Sequence, residues 1–293
     1  MKKVNRTSLI IFPILVLIGY LVALAGSQGG ATLGGVPIFM LTVGLTFLIQ
    51  WLVFIPAYIF QTEKFFDLTG SITYITVTGV ALCYTRYSVA LDARSILLAA
   101  LVIVWAVRLG TFLFSRIQKA GKDDRFDELK PDFFRFLNVW TIQALWVTFT
   151  MAAALVAITT ATRKDLDAFA VIGALVWVIG FAIEVAADSQ KSRFNADPAN
   201  KGKFIQTGLW SRSRHPNYFG EIVLWIGVAI IALPVLHGWQ WVAMISPLFV
   251  TLLLTRVSGI PLLEKKADKK WGGQEDYETY KKTTPVLIPR LSK

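Results

Sequence analysis

The sequence holds one cysteine, Cys83, and two histidines, His215 and His237, in 293 residues. A single thiol builds neither a disulfide framework nor a thiolate metal site, and two imidazoles are too few for a histidine-based centre. No metal site is therefore expected. Charge is also scarce: 17% of the residues are charged and 55% are hydrophobic, whereas soluble domains are about 25% charged. No Gly-x-Gly-x-x-Gly opens a strand–helix–strand unit, which excludes a Rossmann cofactor domain. Internal repeats and low-complexity linkers are missing too, so residues 1–293 read as one membrane domain.

What the chain does have is apolar length. A helix needs roughly 20 apolar residues to cross the hydrocarbon layer, and eight runs are of that order, at about 8–26, 36–60, 68–88, 95–116, 138–160, 168–187, 218–235 and 239–255. A barrel would show alternating strands of about ten residues instead. The expected fold is an all-α integral membrane protein, a bundle of seven to eight transmembrane helices. Lys2, Lys3 and Arg6 followed by an apolar run and Ala23-Leu24-Ala25 resemble a signal peptide. The sequence retains Met1, and an uncleaved first helix is expected.

The net charge of +11 is distributed by side rather than by patch. With eight spans, 25 of the 30 Lys and Arg fall on one face of the membrane, four (Arg86, Arg94, Arg163 and Lys164) on the other, and Arg108 within a span. That asymmetry is the positive-inside pattern of cytoplasmic loops. It accounts for the basic balance without nucleic acid, which is not an expected partner; membrane lipids are. The tail from Glu264 mixes Lys with Trp271, Tyr277 and Tyr280, a composition suited to an interfacial helix on anionic lipid that can also close a pocket.

The two halves differ. Residues 1–118 are nearly all spans with minimal loops, and a lipophilic substrate could enter them from the bilayer; their polar residues include Gln50, Tyr74, Tyr84 and Arg108. Residues 138–293 carry the denser polar loops. Their strongest local signal is Ser213-Arg214-His215-Pro216-Asn217-Tyr218-Phe219-Gly220-Glu221. Pro216 suits a first helical turn, where its missing N–H costs nothing, which puts His215 at the cap. Asn217 and Glu221 are four apart and share a helix face. Arg212 and Arg214, with Lys201 and Lys203 earlier, add charge to the positive end of the helix dipole. Together they make a site for an anionic, hydrogen-bonding cofactor. Glu221, one turn into an apolar helix, needs a partner there; Glu184 and Asp188 add two carboxylates, and Arg256 and Glu264 are candidate partners.

The stretches Ala187–Phe194, Asp197–Phe204, Thr207–Trp210 and Arg214–Glu221, continued by Ser258–Lys265 and Tyr277–Tyr280 and preceded by Glu63–Ser71, resemble the bacterial members of the steroid 5α-reductase family. The resemblance covers most of the chain. It implies a multi-pass enzyme of the bacterial inner membrane, with its cofactor site facing the cytoplasm, that takes hydride from NADPH and reduces the 4,5 double bond of a 3-oxo-Δ4 steroid or similar enone lipid. It implies cofactor-binding roles for Asp188, Arg193, Asn217, Tyr218, Glu221, Trp225 and Arg256, beside Arg214 and His215. The Arg-His-Pro-x-Tyr-x-Gly-Glu pattern is shared with sterol reductases and isoprenylcysteine methyltransferases, so an S-adenosylmethionine-dependent methyltransferase of a lipophilic substrate stays open. Asn217 and the Asp197–Lys203 block favour the reductase. A lipid-binding or transport protein would show broken helices in paired repeats, which the sequence lacks.

Eukaryotic members present a Glu and a Tyr from N-terminal spans to the substrate ketone. This chain has no Gln-Glu-Leu-Pro-like segment; Glu63, Asp67 and Tyr74 lie near the relevant span, and Trp105 or Arg108 near the place of the Tyr. Asp67, Tyr74 and Arg108 are the catalytic candidates, with packing an equal account of Tyr74. The charge pattern sets a topology test: single cysteines at positions 125, 205 and 275 should label from the cytoplasm and one at 165 from the periplasm. External labelling at 125 would break the charge argument.

Overall fold

The structure is a computed structural model and describes residues 6–123 and 126–290. Lys2, Lys3, Arg125 and Lys293, counted above among the cytoplasmic charges, lie outside the described residues. The protein is an all-α membrane protein. Its helices are α1 (Arg6–Gly26), α2 (Ile38–Ile59), α3 (Phe66–Ser88), α4 (Ala93–Ala120), α5 (Phe133–Thr150), α6 (Ala152–Thr159), α7 (Ala168–Ala196), α8 (Pro216–Ala232), α9 (Ile245–Leu252), α10 (Ile260–Trp271) and α11 (Glu275–Thr283). A two-residue hairpin, β1 (Thr32–Leu33) and β2 (Val36–Pro37), joins α1 to α2. Among the described residues seven helical runs are long and apolar enough to cross a membrane, namely α1 to α4, α7, α8 and the run Gly238–Trp271 that contains α9 and α10, or eight when the bent pair α5–α6 counts as one span. Exposed Leu17, Leu175 and Ile179 on them are what lipid, rather than water, would cover.

The run at 138–160 is not one straight helix. It breaks at Met151, and α6 leaves α5 at 60°. Every residue of α6 is buried, so this segment packs in protein rather than against lipid. The break costs backbone pairing, and the Ser246 hydroxyl donates to the freed carbonyl of Thr150, as irregular backbone at membrane depth requires.

The chain divides into two compact units, one of residues 1–170 with 231–246, the other of residues 171–230 with 247–293. In the first, threonines make α3 self-sufficient: the hydroxyls of Thr69, Thr73 and Thr78 each donate 2.7 Å to the carbonyl four residues back. The fully buried Arg94 spends its guanidinium on Asp167 (2.9 Å) and on the carbonyls of Asp165 (2.8 Å) and Ile231 (2.6 Å). A buried cation is tolerable only when satisfied in this way.

In the second unit, glycines let α7 and α8 touch backbone to backbone. A methyl group at Gly220 would stand 2.6 Å from the carbonyl oxygen of Gly180 and from the amide of Glu184; one at Gly227 would stand 2.6 Å from the carbonyl of Gly173 and the amide of Trp177. Such small-residue seams supply van der Waals packing where no hydrophobic effect drives helix association. Replacing Gly227 by Ala should therefore lower the thermal unfolding midpoint in detergent by several degrees, from an overpacking cost of about 1–3 kcal/mol. Gly44→Ala, where nothing lies within 4 Å, should leave the midpoint in place.

Candidate functional site

The α7–α8 seam fixes the start of α8, and that start is the centre of the candidate site. Pro216 is its first residue, as its ring favours, and His215 precedes it with a side chain only 6% exposed. α10 supplies what faces it. One oxygen of Glu264 accepts from His215 Nε2 at 2.7 Å and the other from Arg214 Nη1. Burial pushes the His215 pKa below its ordinary 6.5, against the opposing pull of Glu264. His215 is then neutral near pH 7, and the contact is an Nε2–H donation to the carboxylate. Nδ1 is left as a bare acceptor. His215 stacks on Tyr218 at 5.8 Å.

Two residues later Asn217 Nδ2 donates to Asp188 Oδ1 at 3.1 Å, joining α8 to a buried carboxylate of α7. Three polar atoms here are buried and have no partner among the described residues: Arg214 Nε, His215 Nδ1 and Asn217 Oδ1. Buried polar groups are normally paired. One donor and two acceptors left over within four residues is the pattern of a ligand's hydrogen-bonding edge.

Beside this cluster, in the same unit, lies a cavity of about 260 Å³. Arg214 and His215 form part of its wall, Lys191, Lys203 and Lys270 bring positive charge, and Phe204 brings an aromatic face. Trp271 holds the edge, donating 2.6 Å to the carbonyl of Gly202 and meeting Phe204 edge-on at 5.8 Å. Lys191 sits 4.4 Å over the Trp210 ring, and Trp210 donates 3.0 Å to the carbonyl of Ala187. Cations around an apolar, aromatic lining suit a ligand with a planar ring and phosphate charge. Half-buried Leu263, Ala267 and Trp271 of α10 line this pocket, while Lys265 and Lys269 are exposed.

The remaining candidates of this unit spread along its helices. Glu221 and Tyr218 are half-buried, Trp225 is fully buried, and Arg193 and Arg256 are exposed. Arg256 lies in a π-helical turn, Leu253–Val257, a local unwinding frequent at functional sites. Glu264, named from sequence only as a partner, is the hub. Its link to Arg214 spans fifty positions, and no spacing rule reveals it. Lys191, Lys270 and Phe204 were not singled out; only the Lys and aromatic density of the loops hinted at them.

In the other unit, Asp67, Tyr74 and Arg108 are strung along the antiparallel α3–α4 seam rather than gathered. Asp67 lies 3.9 Å from Arg116, Tyr74 packs edge-on against Trp105 at 5.1 Å, and Arg108 stands 5.3 Å over the Phe112 ring. Two helical turns separate Asp67 from Tyr74, roughly 10 Å along the axis. Glu63 is engaged elsewhere, accepting from Lys130 Nζ at 2.6 Å and from the amide of Asp123 at 2.9 Å.

With this geometry in hand, the chain can be set beside known proteins. A family model described as Protein of unknown function (DUF1295) matches residues 53–284. Steroid 5-alpha-reductase DET2 of Gossypium hirsutum is 28% identical over 117 residues, 40% of each chain. The 3-oxo-5-alpha-steroid 4-dehydrogenase 1 of Rattus norvegicus is 29% identical over 118 residues, again 40% of each. The DET2 protein of Arabidopsis thaliana is 27% identical over 121 residues, 41% of this chain and 40% of its own. The chain thus matches about two fifths of the length of these curated relatives. No solved structure gives a match.

His215 sets a pH test. Its pKa is depressed in the folded protein, so the unfolded chain takes up the proton first as pH falls below about 6.5. The stability contribution is complete above that value and is lost as pH drops through the folded pKa. Thermal midpoints between pH 7 and 5.5 should fall, and His215→Gln should flatten part of that slope; an identical slope in the variant would show that His215 is not held neutral.

Proposed function

Because the chain belongs to the DUF1295 family, and because a cation-lined aromatic cavity adjoins three buried polar atoms with no partner among the described residues, we propose that this protein is a membrane reductase that uses NADPH to reduce the 4,5 double bond of a 3-oxo-Δ4 steroid or similar enone lipid. The observation that carries the reading is the orphaned set Arg214 Nε, His215 Nδ1 and Asn217 Oδ1. The residues fit the cofactor. Lys191, Lys203 and Lys270 would pair with phosphate, Phe204 or Trp271 would stack on a ring, and the orphaned atoms would meet ribose or amide groups. When bound, NADPH supplies a hydride. The relatives' printed names, steroid reductases and a 3-oxo-steroid dehydrogenase, support the substrate class. A lipid-soluble substrate also suits a chain that is 55% hydrophobic. In this reading, supported by the positive-inside count and the resemblance to bacterial members, the cofactor residues face the cytoplasm of a bacterial inner membrane.

In this reading the chain's own work is positional and acidic. Glu264 holds Arg214 and the neutral His215, and Asp188 holds Asn217, so their free atoms are oriented before a ligand arrives. A proton donor from residues 1–118 stabilises the enolate oxygen that forms as the β-carbon is reduced. Tyr74, buried against Trp105, is the leading candidate, with Asp67 in its protonated form after it, while Arg108, whose guanidinium keeps its protons, could give that oxygen only a hydrogen bond. The S-adenosylmethionine reading shares the motif but draws no support from the relatives.

Purified protein supplied with NADPH should reduce progesterone, testosterone or androstenedione at the 4,5 bond, consuming one NADPH per steroid. Truncating the proton donor should lower turnover by about 10²–10⁴-fold. Turnover of none of the three steroids would overturn the substrate class, and intact turnover in each of the Asp67, Tyr74 and Arg108 variants would overturn the placement of the acid.

A further inference from the structure

The segment 211–215 carries Arg214 and His215. Some of its ties are local: the amides of Arg212 and Ser213 reach the carbonyl of Leu209, the Ser211 hydroxyl reaches that of Gly208, and the carbonyl of His215 accepts from Phe219 N–H. Others reach the C-terminal segment. Arg214 N–H donates to the carbonyl of Pro285 at 2.9 Å, and Arg290 N–H donates to the carbonyl of Arg212 at 3.0 Å. Between these two bonds stands Ser213, with 0% exposure. Its hydroxyl donates to the carbonyl of Leu287 at 2.7 Å and accepts from the amide of His215 at 3.1 Å. A hydroxyl has one proton to give, so this side chain passes the position of the tail directly to the backbone of His215. Tyr280, on α11, adds a 2.7 Å bond to the carbonyl of Trp210.

The tail buries little of itself. Val286 is 40% exposed and Ile288 is 70% exposed, Pro285, Leu287 and Pro289 are half-buried, and the two prolines offer no N–H. What the segment does with its backbone is grip 212–214. We infer that residues 285–290 form a latch that sets the direction of Arg214 Nε and His215 Nδ1, with Ser213 as the positioning residue that couples latch to motif. The inference rests on the reading of Arg214, His215 and Asn217 as cofactor-holding residues. It adds a role for a segment whose composition suggested a membrane-surface tail able to close a pocket.

Without the Ser213 hydroxyl, the amide of His215 loses its buried acceptor and the carbonyl of Leu287 loses its donor, so the two strands separate. The test uses the full-length chain in detergent with Ser213→Ala, Arg290→Pro, which deletes the single N–H on Arg212, and Arg290→Ala, which keeps that N–H and serves as control. Two quantities are read: the NADPH dissociation constant, and amide hydrogen exchange across residues 210–219 without NADPH. Ser213→Ala and Arg290→Pro should each weaken NADPH binding by about 10-fold and speed exchange across 210–219, while Arg290→Ala matches the unaltered protein in both. Unchanged exchange in both variants would overturn the latch. Faster exchange with unchanged affinity would reduce the tail to a structural strap and overturn the positioning role. Failure of the unaltered protein to bind NADPH would strike the cofactor reading instead, and the exchange comparison would still decide whether the latch exists.

Discussion

One carboxylate organises the C-terminal unit. Glu264 accepts from Arg214 with one oxygen and from His215 with the other, and so ties α10 to the first turn of α8 across fifty residues. All three side chains are largely removed from water, at 23%, 12% and 6% exposure. A buried charge pair repays its desolvation only when its remaining hydrogen-bonding capacity is used. Glu264 meets that condition within the protein. Arg214 and His215 do not, since Nε and Nδ1 are left over. Two atoms beside this interaction, with Asn217 Oδ1 as a third, thus have no partner among the described residues. Move Glu264, and the charge, the neutral imidazole and the cavity wall all change together.

Packing makes that interaction possible. Glycines 173, 180, 220 and 227 bring α7 and α8 into backbone contact, which places Asp188 within reach of Asn217. Trp271 and Phe204 close the far side of the cavity. The lysines that line it come from α7, the 201–206 loop and α10. A ligand bridging these elements would be held by charge at its phosphates and by aromatic faces at its rings, with specificity left to the few orphaned atoms.

Most of the helices were legible in the sequence, because about 20 consecutive apolar residues leave a chain little else to do in lipid. The break at Met151 was not, since 138–160 holds no Pro or Gly and the group that satisfies the break, Ser246, lies almost a hundred residues downstream. The start of α8 was readable from Pro216, and the clustering of Arg214, His215 and Asn217 followed from it. The hub role of Glu264 and the coupling through Ser213 were hidden for a shared reason. Both depend on pairings between distant segments, which neither periodicity nor a local motif encodes. The catalytic candidates show the opposite failing. Asp67, Tyr74 and Arg108 looked comparable as polar residues in apolar spans, yet Asp67 lies beside Arg116 near one end of the α3–α4 seam, while Tyr74 is buried two turns away against Trp105, a turn of α4 from Arg108.

The central claim is that the atoms left unspent around Glu264 are there for a nicotinamide nucleotide. Titrating the purified, detergent-solubilised protein with NADPH and, separately, with S-adenosylmethionine tests it most directly. The account predicts saturable NADPH binding at micromolar affinity or tighter, weakened at least tenfold by Glu264→Ala, which releases both Arg214 and His215 (about 1.4 kcal/mol per factor of ten). Tight binding of S-adenosylmethionine with none of NADPH would contradict it.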